Sequence, residues 1–179
     1  MIPAPPPSWL PKLVPFRGDW NSFVRALYSL FSIDFKSGQL RFRGRPVWYD
    51  RQVLPGDPNR YEEGFWHLVT RDNFVWDKSK RCMTKQRLPD IERAQHLPWG
   101  KPTVEHAMEA EVLVWNFDET TKRGNAVRTY LWLRNWHYAV ILEEMGKKKG
   151  NIFMLITTFL VDAPGKRADL ESRYARRKR

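Results

Sequence analysis

The sequence predicts an α+β fold in which an N-terminal helical part and a small hairpin precede a four-stranded antiparallel sheet, with helices packed on one face. Apolar residues recur at helical spacing near the N-terminus, and four strand-like runs joined by short polar loops follow in the second half. With 179 residues and 42% hydrophobic content the chain can bury one core. We therefore expect a proline-rich arm at 1–18, a single α+β domain at 19–164 and a basic tail at 165–179.

The N-terminal third begins with proline. Six of the 13 prolines lie in the first fifteen residues, which is typical of an extended polyproline arm. Such an arm either packs on its own domain or docks on a partner, and both interpretations are open. Asp19 can cap a helix from about Trp20 to Phe31. Between Gln39 and Tyr49, apolar residues flank Arg43–Arg45, which predicts a short hairpin with arginines at its turn.

The middle of the chain predicts a strand or short helix at 65–70, then a basic segment. Residues 78–87 contain five basic residues and no acidic one, which favours a solvated loop that attracts phosphate. Pro89 occupies a first-turn position and is followed by two acidic residues, so a helix should begin there and end at Pro98.

The four strand-like runs lie at about 111–117, 127–134, 137–143 and 151–161 and should form an antiparallel meander. In the last run both faces are apolar, so we expect a central strand covered on both sides. The segment 166–179 holds seven basic and two acidic residues and can form a helix that frays at its end.

One face of the second run combines cations and rings, because side chains alternate along a strand. If a two-residue turn joins this run to the next, Glu143 opposes Arg128, and His137 opposes Arg134. The face then forms a concave RNA-binding surface, or it packs beneath a covering helix, with Arg128 and Glu143 as an ordinary ion pair. The proposed RNA-contacting residues on this face are Arg128, Tyr130, Trp132, Arg134 and His137.

Composition narrows the classes of partner. A net charge of +11 favours nucleic acid, an anionic membrane surface or an acidic protein, and 14% aromatic content favours RNA or single-stranded DNA among these. Cys82 is the sole cysteine, so an internal disulfide and a cysteine-rich zinc site are both excluded. No export signal or membrane-length apolar run is recognisable, and we expect a cytoplasmic protein without a membrane partner.

The chemistry that these residues allow is metal-free. The four histidines are scattered, the acidic residues form no two-metal motif, and no phosphate-binding glycine loop is present, so we expect no metal and no cofactor. Metal-free RNA cleavage needs a base for the 2′-hydroxyl and fixed cations for the phosphate. His67 lies close in sequence to Arg71 and to Lys78 and Arg81 of the basic segment, all three of which could contact RNA. A histidine in an aromatic segment can equally be structural.

The segments EGFWHLVTRD, RLPDIERAQHLPW and ITTFLVD, within about Glu62 to Asp162, resemble the phage-associated branch of the Barnase–EndoU–Colicin–RelE ribonuclease-like superfamily. The resemblance implies a helical part followed by a four-stranded antiparallel sheet, and metal-independent ribonuclease activity. It also implies that His67 is the catalytic histidine, that Arg93 and Arg87 are the cations, and that either Thr157 or Thr158 supplies a strand hydroxyl.

Two functions are therefore expected. The first is a metal-independent endoribonuclease, a toxin of phage or plasmid conflict or of a toxin–antitoxin pair, which cleaves tRNA, mRNA or rRNA to a 2′,3′-cyclic phosphate. An acidic antitoxin or immunity protein would restrain it. The alternative is a non-enzymatic RNA-binding module that uses the same basic aromatic face.

Overall fold

The computed structural model describes residues 5–121, 124–146 and 150–177. The described part is α+β, as the sequence predicts. Its helices are α1 (Trp20–Phe31), α2 (Glu63–Val69), α3 (Ile91–Gln95), α4 (Gly100–Glu105) and α5 (Pro164–Ala175). Its strands are β1 (Arg41–Phe42), β2 (Arg45–Trp48), β3 (Thr70–Asp77), β4 (Cys82–Pro89), β5 (Leu113–Thr121), β6 (Gly124–Leu133), β7 (Tyr138–Met145) and β8 (Ile152–Leu160).

Helix α1 has the predicted bounds because its local signals agree. The Asp19 carboxylate accepts a hydrogen bond from the Ser22 backbone N–H at 2.8 Å, which satisfies one of the unpaired donors of the first turn. The buried stripe of Phe23, Val24, Leu27 and Phe31 faces the sheet. A π-helical turn at 32–36 follows and adds Phe35 to the same core.

The main sheet has six strands, in the order β1-β2-β8-β7-β6-β5. The predicted meander is present as β5–β8, but the prediction of a four-stranded antiparallel sheet was wrong. The N-terminal hairpin joins this sheet, and β2 runs parallel to β8 through the pairs Val47↔Phe153 and Trp48↔Met154. An apolar strand such as β8 needs a partner on its outer edge, and β2 supplies one over part of its length.

Strands β3 and β4 form a separate two-stranded hairpin. Their register runs from Thr70↔Pro89 to Asp77↔Cys82, so the predicted basic loop at 78–87 was mostly wrong. Only residues 78–81 form the turn, and the Asp77 carboxylate accepts the Ser79 N–H at 2.9 Å there. The β-branched and aromatic residues of β3 favour a strand, and this preference outweighs the basic composition of the following residues.

Helices cover both faces of the main sheet, so the prediction of helices on one face was wrong. Buried residues of α1, α2, α3 and α4 form one core cluster with Leu131, Val140 and Leu142. Helix α5 covers the other face and places Leu170 and Tyr174 against Trp115, Tyr130 and Trp132. The predicted basic tail therefore belongs largely to an amphipathic helix that buries its apolar side against the sheet.

The proline-rich arm packs on its own domain over the described residues. Trp9 stacks on His106 with ring centroids 4.5 Å apart. The Trp99 indole N–H donates to the Pro11 carbonyl at 2.9 Å, and the Val14 N–H donates to the Gln95 carbonyl at 3.1 Å. These contacts support the first of the two interpretations of the arm. None of the described helices is long and apolar enough to cross a membrane.

Candidate functional site

His67 lies on α2, and the first turn of that helix fixes its position. The Gly64 N–H donates to the Asp50 carbonyl at 2.9 Å, and the Glu63 N–H donates to the Gln52 carbonyl at 2.6 Å. A Cβ added at Gly64 would lie only 2.9 Å from the Asp50 oxygen, so this close approach requires glycine. Glu63 and His67 are four residues apart and therefore lie on the same side of α2.

The imidazole of His67 is mostly buried and sits in a charged environment. Burial lowers the pKa of His67 below its ordinary value, and the nearby Arg93 cation lowers that pKa further. The carboxylates of Asp72 and Glu63 act in the opposite direction without reversing the shift. His67 is therefore a neutral imidazole at pH 7 and can accept a proton.

Arg93 is a mostly buried cation on α3. Its Nη1 donates to the Thr70 carbonyl at 3.0 Å and its Nη2 to the Thr157 hydroxyl at 2.6 Å. Its Nε is buried and has no hydrogen-bond partner in the described part of the chain. Among the described residues no carboxylate oxygen lies within 4.0 Å of this guanidinium. Burial lowers the pKa of Arg93, with Asp90 as the strongest opposing charge.

Arg87 differs from Arg93 because a carboxylate already holds it. Its Nη1 donates to Glu63 Oε2 at 2.9 Å, and its Nη2 contacts Glu63 Oε1, so the pair is two-pronged. This ion pair joins β4 to the first turn of α2 and raises the pKa of Arg87. Arg87 therefore fixes the base of the β3–β4 hairpin beside His67.

The two threonines of β8 have different surroundings. A register shift opposite Ile141 and Leu142 places Thr157 where its hydroxyl accepts from Arg93 and donates to the Thr158 carbonyl at 3.2 Å. Thr158 is buried, and its hydroxyl has no partner in the described structure. The geometry associates Thr157 with the predicted site and places Thr158 in the core.

A cleft of about 780 Å³ opens beside the first turn of α2. His67 and Glu63 line it, together with Trp48 and Arg51 from the end of β2. The Arg51 guanidinium lies over the Trp48 ring at 4.5 Å from its centroid. Arg93 does not line this cleft. His67 lines the cleft and also feels the charge of Arg93, so it links the two.

Sequence reasoning missed most residues of this cleft, among them Glu63, Trp48 and Arg51. The spacing of four residues between Glu63 and His67 was the available signal for Glu63. Trp48 and Arg51 had no local signal, because they reach the cleft only through the pairing of β2 with β8.

The predicted RNA-binding face of the sheet is covered. Tyr130 is 2% exposed and Trp132 is 1% exposed beneath α5, so neither ring can stack on a base. The predicted pairing of Arg128 with Glu143 is confirmed, and Arg128 lies 3.3 Å from Glu119 and 3.6 Å from Glu143. The structure thus corrects the RNA-contact assignment of Tyr130 and Trp132 and supports the covering-helix interpretation.

The other predicted RNA-contacting residues lie apart from one another. Arg134 pairs with Glu171 at 2.9 Å, and His137 follows a 3-10 turn at 134–136 instead of opposing Arg134 across a two-residue turn. Arg71, Lys78 and Arg81 are exposed on the β3–β4 hairpin. The structure therefore leaves the hairpin as the exposed basic surface next to His67.

Within the described residues, no group of three or more His, Cys, Asp or Glu side chains could hold a metal ion. The chain matches no protein-family model, and neither a curated protein nor a solved structure is similar to it.

Proposed function

We propose that the protein is a metal-independent endoribonuclease that cleaves RNA by attack of its own 2′-hydroxyl. The role of a toxin in phage or plasmid conflict, or in a toxin–antitoxin pair with an acidic partner, belongs to the same proposal. One observation carries it: Arg93 is mostly buried, no carboxylate among the described residues pairs directly with its guanidinium, and its charge acts on a neutral His67.

An unpaired buried guanidinium is costly, because it loses hydration without gaining a counter-charge. A phosphate supplies that counter-charge and also suits the planar fork of an arginine. The Nε of Arg93 has no hydrogen-bond partner among the described residues, and the hydrogen bond from its Nη2 to the Thr157 hydroxyl fixes the orientation of the guanidinium. A cation held in place before the substrate arrives stabilises the crowded phosphate of the transition state without reorganisation.

His67 is suited to the role of base. It takes the proton of the 2′-hydroxyl while the 2′-oxygen bonds to phosphorus, and the bond between phosphorus and the 5′-oxygen breaks. The leaving 5′-oxygen takes a proton from water, so the products carry a 2′,3′-cyclic phosphate and a 5′-hydroxyl. The lowered pKa of His67 supports this role, because most molecules then hold the neutral imidazole at pH 7.

The test is cleavage of total RNA in the presence of EDTA, with the new ends examined for 2′,3′-cyclic phosphate. We expect His67→Ala to lower the cleavage rate by about 100-fold or more, the usual contribution of a positioned base. His106→Gln is the matched control, because His106 stacks on Trp9 away from α2 and its loss should leave the rate unchanged.

Cleavage by His67→Ala at the wild-type rate would show that this histidine is not the base. RNA that the wild-type protein binds but leaves intact would favour the non-enzymatic binding module instead. The exposed basic hairpin is the observation that supports this second function.

A further inference from the structure

We infer that the β3–β4 hairpin is a stacking platform that holds the unpaired bases of single-stranded RNA beside His67. This inference rests on the proposed function for the location of the reacting phosphate, and it adds the substrate class and the surface that recognises it.

The hairpin exposes its rings on one face. Because side chains alternate along a strand, Phe74 and Trp76 point to the same side, and the register places Met83 directly opposite Trp76. Phe74 is 60% exposed, Trp76 is 55% exposed and Met83 is 55% exposed. Large apolar side chains grouped this way on a surface indicate a binding site more often than an accident of folding.

The row of rings leads toward the proposed active site. Asp72 and Arg87 oppose each other on the same face of the hairpin, nearer its base. Arg87 is paired to Glu63, and the charge of Asp72 acts on His67. At about 3.4 Å per residue, two-residue steps along β3 place the rings about 7 and 14 Å beyond Asp72.

The charge of the hairpin identifies the ligand. Residues 70–89 contain six basic residues and two acidic ones. Lys78, Lys80 and Arg81 are exposed at the turn, and of these Lys80 lies 3.9 Å from the Asp77 carboxylate. Rings beside cations match the alternation of bases and phosphates in a nucleic acid strand.

The same surface favours a single strand over a duplex. The bases of a duplex are stacked on one another, and the major groove of an RNA helix is too deep and narrow for side chains to read. Exposed rings can stack only on bases that are splayed out, as they are in loops and single-stranded ends.

The experiment uses a His67→Ala background so that bound RNA is not cleaved, and it measures the Kd of a fluorescein-labelled 12-nucleotide single strand by anisotropy. We expect Phe74→Ala with Trp76→Ala to raise this Kd roughly 25-fold, about fivefold for each ring. Val75→Ala is the matched control, because Val75 lies between the two rings and points to the opposite face. Circular dichroism verifies that each variant is folded.

An equal Kd for the ring variant and the Val75→Ala control would overturn the inference. So would equal affinity for a duplex of the same length, since charge alone would then account for binding. If the wild-type protein forms a dimer that the ring variant cannot form, while RNA affinity is unchanged, the rings serve self-association. Ring-dependent binding by a wild-type protein that leaves RNA intact would support the platform and refute the nuclease.

Discussion

Arg93→Met is expected to abolish most activity while changing stability little, a combination that separates a functional arginine from a structural one. The substitution removes two hydrogen bonds from a charged donor, to the Thr70 carbonyl and the Thr157 hydroxyl, each worth about 1.5–3 kcal/mol. It also removes the desolvation penalty of a mostly buried charge that Asp90 and the other nearby charges offset only in part, about several kcal/mol. These contributions oppose each other, so we expect the free energy of unfolding to change by less than about 2 kcal/mol.

Activity should respond differently. Removing one fixed donor to the transition state typically lowers kcat about 100- to 1,000-fold. Urea unfolding gives the first quantity, and cleavage of a labelled single-stranded oligonucleotide gives the second. Arg87→Met is the comparison variant, because it breaks the two-pronged ion pair with Glu63 that joins β4 to α2, so it should destabilise the protein more than Arg93→Met does.

A functional role for Arg93 is refuted if Arg93→Met lowers the free energy of unfolding by about 4 kcal/mol or more while the folded fraction retains wild-type kcat. That loss is typical of a broken buried ion pair and would mean that Arg93 serves the fold alone.

Three other variants test separate parts of the structure. The pKa of His67 is lowered on folding, so this residue contributes stability above about pH 6.5. That stability is lost as the pH falls through the pKa of the folded protein. His67→Asn should therefore make the free energy of unfolding, measured in urea at several pH values, depend less on pH. Gly64→Ala forces a Cβ to 2.9 Å from the Asp50 carbonyl and should cost about 1–3 kcal/mol of stability, with a loss of cleavage, as thermal unfolding and a rate assay would show. Leu170→Ala should cost about 2–5 kcal/mol in urea unfolding, yet leave RNA affinity unchanged at a temperature where the variant is folded, because α5 covers a core face.

Local signals predicted the parts of the fold that depend on neighbouring residues. Helix α1 was predicted to its ends because a capping aspartate and a helical stripe coincide. The predicted pairing of Arg128 with Glu143 is confirmed, although a 3-10 turn at 134–136 replaces the two-residue turn from which it was predicted.

The rest of the fold depends on contacts that no local pattern reveals. The parallel pairing of Val47 with Phe153 joins distant parts of the chain. The local sequence of the β1–β2 hairpin therefore did not indicate that it belongs to the main sheet. The segment 166–179 was predicted to be a basic tail that can form a helix, but its charge did not indicate that Leu170 and Tyr174 would cover Trp132. An aromatic strand face has the same sequence pattern whether it binds RNA or packs beneath a helix.

The candidate site shows the same division. His67, Arg93 and Thr157 were named from a resemblance between short motifs; in the fold Arg93 donates a hydrogen bond to Thr157, and its charge lowers the pKa of His67. Which threonine contacts the arginine could not be predicted, because the answer depends on a register shift within β8. Trp48 was missed because only the assembled sheet brings it to the cleft beside His67.

The pairing of the cations is more informative than their number. Arg87, Arg128 and Arg134 each contact a carboxylate, so these three cations are balanced within the chain and say little about a ligand. Arg93 has no such contact among the described residues, and the hairpin exposes its cations next to rings that the described chain leaves in solvent. The mostly buried guanidinium of Arg93 and the exposed rings of Phe74 and Trp76 are each unfavourable without a ligand. A nucleic acid strand can place a phosphate at the guanidinium and stack its bases on the rings. Because one RNA strand can bind both, loss of the Arg93 guanidinium or of the exposed rings should weaken RNA binding or cleavage. The paired arginines should serve mainly the fold.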